Sequence, residues 1–417
     1  MSRRAGAGTA RRAAVVLAAA TLLALGCAGR SRLDLVSGDL AGNDIASLVD
    51  SKPARRLLAD MLARRSLDQR LVALAPSLLG ADFVGSAGPA AGLRPLPDQA
   101  RLRELAQQVS LDFAALAFAR ALGADERSRA VQAAFDYALR EGAGRSEEVL
   151  RRPNAFPYTV LFAPAWLYRS HPETGADFVR QRRLLDRLGI PNRLIATPES
   201  GSVEDNASTI AAAVREAARD MRDLILVSTS KSGAEVALAL SRVLAPEETA
   251  RVAGWLNAGG ALGGTPHADS ALRPPTSWLT RSVFWLTGWN RAGVTSMATR
   301  PSRQRLEGAQ LPDSIAVVNL VAVPLSGTVS LKVYWGYKAL RRHGPNDGVV
   351  LLADAVWPGG TNLVALGSDH IFAALQEDAH ALALLRALDV AIRLHAAPGA
   401  RGAWPRTHGV PIPFPMP

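Results

Sequence analysis

The sequence predicts an α/β fold, a mostly parallel sheet with helices on both faces, preceded by a helical region. Three observations carry that prediction. After Pro157 short apolar runs alternate with helical stripes, as parallel strands joined by crossover helices do. The run Leu224, Ile225, Leu226, Val227 ends in a tight turn of small residues, Ser228 to Gly233, and a helical segment begins at once. Upstream, from Leu33 to about Gly142, the apolar residues recur at helical rather than strand spacing.

Taken in order, the first 27 residues read as an export signal: Arg3, Arg4, Arg11 and Arg12, then an apolar stretch over 13–25, then Gly26 and Cys27. Cys27 is the only cysteine of the 417 residues. A lone cysteine directly after a signal core is the expected site of lipid attachment, and no intramolecular disulfide can form without a second one. Residues 28–150 form the expected helical accessory region. Ser51 and Pro53 are set as cap and first turn, with Leu57, Leu58, Met61 and Leu62 on one face. Phe113, Leu116 and Ala117 make a second stripe, and Val131, Phe135, Ala138 and Leu139 a third. Between the first two, 84–97 reads as a glycine- and proline-rich loop.

The main domain is expected over 151–400, with a tail over 401–417. Its strands are expected at 159–163, 193–197, 223–228, 252–257, 315–321 and 362–366. Ser202 is placed to cap a helix carrying Ala207, Ile210, Ala211, Val214, Ala217, Ala218 and Met221 on one stripe. An insert over about 263–312 holds the nearly all-apolar stretch from Trp278 to Trp289, which needs burial somewhere and is too short to span a bilayer.

Ser230 sits where a strand breaks into a helix, flanked two residues away on each side by small residues, Ser228 and Ser232. Such a turn holds a serine at the tip of a nucleophile elbow, although the pattern G-x-S-x-G has glycine at both flanks. Asp347 follows in the turn-forming run Gly344, Pro345, Asn346, Asp347, Gly348, and His370 follows the strand expected at 362–366. The order serine, aspartate, histidine belongs to neither the chymotrypsin nor the subtilisin arrangement. Over roughly residues 158–382 the chain resembles the α/β-hydrolase superfamily, and within it the bacterial lipases and esterases. The resemblance implies that Ser230 follows strand five of the standard sheet, Asp347 strand seven and His370 strand eight.

The chemistry implied is acyl transfer. His370 would take the Ser230 proton, Asp347 would fix the imidazole, and two backbone amides would bind the oxyanion. One is that of Lys231; the other is Ala165 or Trp166, because Pro164 has no N–H. The insert is where this superfamily commonly carries a cap over the site. No cofactor is implied, and no metal-ligand spacing occurs. The pattern Ser228-x-x-Lys231 is not that of penicillin-binding enzymes, whose serine opens a helix and which need a separate K-T-G strand.

The formal charge is +11, of which the four leader arginines account for four, leaving +7 on the remainder. Only four of the 48 basic residues are lysines, and no basic run interleaved with aromatics suggests a nucleic acid partner. The expected function is therefore a lipid-anchored serine hydrolase of carboxylic esters in the cell envelope, meeting an ester or lipid substrate at the membrane surface. A thioesterase or amidase on the same triad, and a hydrolase-fold lipoprotein without catalysis, are the alternatives.

Overall fold

The computed structural model describes residues 34–40, 43–67 and 96–396. Cys27, the leader, most of the 84–97 loop and the 401–417 tail lie outside the described residues.

Strands β1 (Asp34–Leu40) and β2 (Asn43–Val49) pair antiparallel as a separate two-stranded sheet. This corrects the expectation of helix from Leu33 onward. The missed signal was the register itself: Leu40 pairs with Asn43, so only Ala41 and Gly42 lie between the strands, the commonest hairpin spacing. Helix α1 (Lys52–Leu67) then starts as expected, with Ser51 Oγ accepting the Ala54 N–H at 3.2 Å and Leu58 and Leu62 buried. Helices α2 (Gln99–Gln108), α3 (Leu111–Leu122), α4 (Glu126–Glu141) and α5 (Ala143–Leu150) follow. Asp98, Ser110 and Asp125 cap the first three, each accepting an amide of the first turn.

All six strands expected in the main domain form, within a few residues of their expected ends: β3 (Tyr158–Ala163), β4 (Asn192–Leu194), β5 (Asp223–Thr229), β6 (Val252–Ala258), β7 (Ala316–Val323) and β8 (Thr361–Leu366). They build one parallel sheet in the order β4-β3-β5-β6-β7-β8. A parallel sheet needs cover on both faces, and the period-two alternation supplies it. Tyr158, Val160, Phe162, Ile225, Val227, Val318 and Leu320 face one layer, where α4, α6 (Val179–Leu188) and the last helix, α14 (Asp378–Ala396), pack. Leu161, Leu224, Leu226, Trp255 and Val317 face the other, covered by α7 (Val203–Ala217) and α8 (Lys231–Leu238). Ser202 caps α7 by accepting the Asp205 amide, and the stripe of Ala207, Ile210, Ala211, Val214 and Ala217 is buried. Met221 was expected on that stripe but lies beyond the helix end and is exposed.

Three features bear directly on the site. First, Phe118, Ala119 and Leu122 of α3 share a core with Val321 and Val323, so the N-terminal helices pack straight onto the β7 side of the sheet. Second, Asn257, Asn319 and Asn362 stand side by side on β6, β7 and β8 and form a buried ladder, linked at 3.1 Å each and satisfied further by the Ala355 and Trp357 carbonyls. The ladder ties the chain after Asp347 to the sheet. Third, the segment between β6 and β7 carries α9 (Pro266–Leu272), α10 (Thr276–Thr287), α11 (Arg291–Ser296) and α12 (Thr299–Leu306), and α13 (Tyr334–Leu340) follows β7.

Candidate active site

The buried strand β5 ends at Thr229 and α8 begins at Lys231, so Ser230 must make the whole reversal. Its backbone sits at φ 55°, ψ −127°, a conformation that costs a non-glycine residue about 1–3 kcal/mol and persists only when its surroundings over-determine it. They do. The Ser230 amide donates to the Ala258 carbonyl at 3.2 Å, and its carbonyl accepts the Gly233 and Ala261 amides at 3.0 and 2.8 Å.

The two flanking serines explain why glycine is dispensable there. Ser232 Oγ accepts the Thr229 amide at 2.9 Å and donates to the Ala163 carbonyl at 2.7 Å, while Ser228 Oγ accepts the Trp255 indole N–H at 2.8 Å. Both side chains are fully buried and spent on structure. The glycine requirement has moved one residue along. A Cβ on Gly233 would stand 2.6 Å from the Gly260 Cα, so α8 and the loop after β6 meet backbone to backbone.

Asp347 lies in a turn closed by an Asn346–Leu351 bridge. Gly348 takes φ 103°, which only glycine adopts without strain. The Asp347 carboxylate is fully committed: Oδ1 accepts the Val349 and Val350 amides at 2.9 and 2.7 Å, and Oδ2 faces His370 Nδ1 at 2.7 Å. The His370 amide also donates to the Asp347 carbonyl at 3.0 Å. The pair is buried. Burial alone would pull the imidazole below its ordinary value of 6.5, but the carboxylates of Asp347 and Asp369 outweigh it and hold His370 above that value. The elbow reaches this pair through Gly259, which follows the carbonyl that holds Ser230 and whose built Cβ would lie 3.6 Å from Asp347 Oδ2. Among the described residues Ser230 Oγ makes no hydrogen bond; hydroxyl–imidazole contacts are often long without substrate.

The rival groups are occupied elsewhere. Asp354 pairs with Arg303 at 3.3 Å. Asp369, although adjacent to His370, turns its oxygens to the Ser330 and Ile371 amides at 2.7 and 3.0 Å. His267 Nε2 holds the Gly348 carbonyl at 3.2 Å, and His343 Nε2 accepts from Arg342 Nε at 3.1 Å. Of the expected oxyanion donors, Lys231 is the first residue of α8, so its N–H has no acceptor within the helix. The Ala165 amide donates to the Ala176 carbonyl at 3.1 Å, which leaves the Trp166 N–H of that pair.

The apolar stretch of the insert is α10, and it divides. Phe284 is buried and packs with Trp289 against Trp166, ring centroids 6.2 Å apart for each contact with Trp166. Trp278 and Trp285 point the other way, 65% and 79% exposed. The root of the insert is stitched to the acid loop by Thr265 Oγ1 on the Val349 carbonyl, beside the His267 contact. Its far end is stitched to the segment before α7 through Asn290 and Ser200. Among the described residues there is no group of three metal-ligating side chains and no helix long and apolar enough to cross a membrane.

The parallel sheet with helices on both faces is an α/β fold, and it places Ser230 directly after β5, Asp347 in the segment between β7 and β8, and His370 after β8. No family model matches the sequence, and no curated protein does. Among solved structures, the chain is similar to a metagenomic carboxyl esterase, at 21% identity over 57% of this chain and 76% of the esterase, with a TM-score of 0.46. It is also similar to the mature form of a Bacillus licheniformis lipase, at 23% identity over 52% and 86% of the two chains, TM-score 0.43. A phospholipase from Legionella pneumophila aligns at 15% identity over 48% and 45%, TM-score 0.32.

Proposed function

We propose that this chain is a serine hydrolase of carboxylic esters, with Ser230 as nucleophile, His370 as general base and Asp347 as the group that orients it. The observation that carries this reading is the buried Asp347–His370 pair together with a serine held in a strained strand-to-helix turn at the same end of the parallel sheet. Asp347 on Nδ1 fixes the imidazole so that Nε2 is the nitrogen free to take the Ser230 proton and later return it to the leaving alcohol. The Lys231 and Trp166 amides would meet the oxyanion. A fluorophosphonate probe tests the reading: wild type should be labelled and Ser230→Ala should not.

The raised His370 value gives a pH dependence with a definite sign. The base must be neutral, so kcat/KM should climb with pH through an acid limb whose midpoint lies above 6.5. An acid limb below 6.5 would mean that burial outweighs the two carboxylates at His370; a rate with no acid limb would contradict its assignment as base.

We also propose that the protein is attached to a membrane of the cell envelope through an acylated Cys27. Labelling with a palmitate analogue should mark wild type and spare Cys27→Ser; equal labelling of both would end the claim.

A further inference from the structure

Lys231 and Glu235 are an i,i+4 pair of the kind that normally decorates a helix surface, yet here each side chain is only 1% exposed. Lys231 Nζ is bonded to Glu235 Oε1. The same oxygen accepts Asn206 Nδ2 at 2.8 Å, and that amide group also donates to the Pro198 carbonyl at 3.1 Å. Burying two charges is expensive, and a well-packed apolar pair of similar volume is often as stable or more so. The pair therefore calls for a reason other than stability.

Its destination supplies one. Pro198 lies in the segment that grips the loop after β3: the Leu167 amide donates to the Glu199 carbonyl at 3.0 Å, Tyr168 Oη to the Thr197 carbonyl at 3.1 Å, and the Arg169 and Ser170 amides to the Glu199 carboxylate at 3.0 and 2.8 Å. An unbroken polar chain thus runs from the side chain of Lys231, through Glu235, Asn206 and the 197–199 segment, to the residues that directly follow Trp166. One end is Lys231 and the other is Leu167, the residue next to Trp166, so the chain reaches one proposed oxyanion donor directly and the other through its neighbour. The other elbow contacts described above hold residues 228, 229, 230, 232 and 233; this chain holds the side chain of Lys231.

We propose that Lys231, Glu235 and Asn206 are positioning residues that hold the two oxyanion donors at a fixed separation. The inference rests on the serine hydrolase reading above. Small errors in such a separation are costly because the donors must match the transition state rather than the substrate, and a displacement near 1 Å can lose about 100-fold in rate.

The test is the double variant Lys231→Met/Glu235→Leu, which removes both charges without orphaning either, together with Asn206→Leu, which keeps the ion pair but cuts the chain. On p-nitrophenyl acetate both should lose about 10- to 100-fold in kcat with KM changed by no more than about twofold. The rate of fluorophosphonate labelling should fall by the same factor, since the phosphonyl oxygen occupies the same hole. Melting temperature reports the folded fraction. Wild-type kcat in a folded variant overturns the proposal, as does a loss that follows only the folded fraction; if the double variant does not fold, Asn206→Leu decides alone. Unlabelled wild type would instead sink the hydrolase reading, so the two failures are distinguishable.

Discussion

Ser230→Ala should remove ester hydrolysis almost entirely, lowering kcat by up to about 10⁶-fold, the scale seen when the nucleophile of a serine triad is lost. Labelling by fluorophosphonate should vanish with it. The fold should survive, because the Ser230 contacts that hold the elbow are backbone contacts and alanine keeps them. Ser232→Ala is the internal control. Ser232 Oγ bonds the Thr229 amide and the Ala163 carbonyl, so its loss should cost about 1–3 kcal/mol of stability by leaving buried partners unpaired, and should weaken turnover without abolishing it. If Ser232→Ala were the dead variant and Ser230→Ala the weakened one, the nucleophile would move by two residues. Labelling of neither serine in wild type would favour a hydrolase fold without catalysis.

Asp347→Asn should reduce kcat by about 10⁴-fold with the melting temperature little changed. The physical reason is the tautomer. With the amide oxygen kept on the Val349 and Val350 N–H groups, the amide NH2 faces His370 Nδ1 and donates to it, so the ring carries its proton on the wrong nitrogen, and the neutral amide cannot stabilise the imidazolium that forms as the proton leaves serine. The same change should lower the acid limb of the pH profile, because Asp347 is the larger of the two carboxylate influences that hold His370 high. Asp369→Asn and Asp354→Asn serve as controls. The first loosens the Ser330 amide and the second breaks the Arg303 pair, so both should act through stability and leave most of the turnover in the folded fraction. A collapse in kcat for Asp369→Asn and not for Asp347→Asn would reassign the orienting acid.

The sheet was legible because burial on both faces of a parallel strand demands an unbroken apolar run, and such runs end visibly at turn residues. Ser230 and His370 could be singled out as candidates for the same reason, each closely following one of those ends, whereas Asp347 is marked by its turn-forming run Gly344, Pro345, Asn346, Asp347, Gly348. What could not be read were the facts set by packing between distant segments. Lys231 and Glu235 have the spacing of an ordinary exposed helical pair, and nothing local says that α7 and the insert will bury them. Asn257, Asn319 and Asn362 look like isolated polar interruptions in three apolar strands; only the register brings them into line. Ala165 and Trp166 were equivalent candidates until Ala176 claimed one of the two amides. The hairpin was missed because Leu35, Val36 and Leu40, then Ile45, Leu48 and Val49, are also spaced as a helix would space them.

That hairpin has a bearing on how an anchored molecule would sit. Asp34 pairs with Val49 at the end of β1 and β2 where Leu48 accepts the Gly327 amide at 2.9 Å. Gly327 opens the short path through Ser330 and Asp369 to His370. A chain fastened at Cys27 has seven residues to reach Asp34, a leash of at most about 25 Å when fully extended. A body of some 360 residues is roughly twice as wide as that leash is long. It could not tumble freely above the bilayer. On the proposed anchor, the tether would emerge near the Gly327–Ser330 segment, so a tethered molecule would be held with the Ser230 and His370 end of the sheet within reach of the lipid surface rather than turned to the aqueous phase.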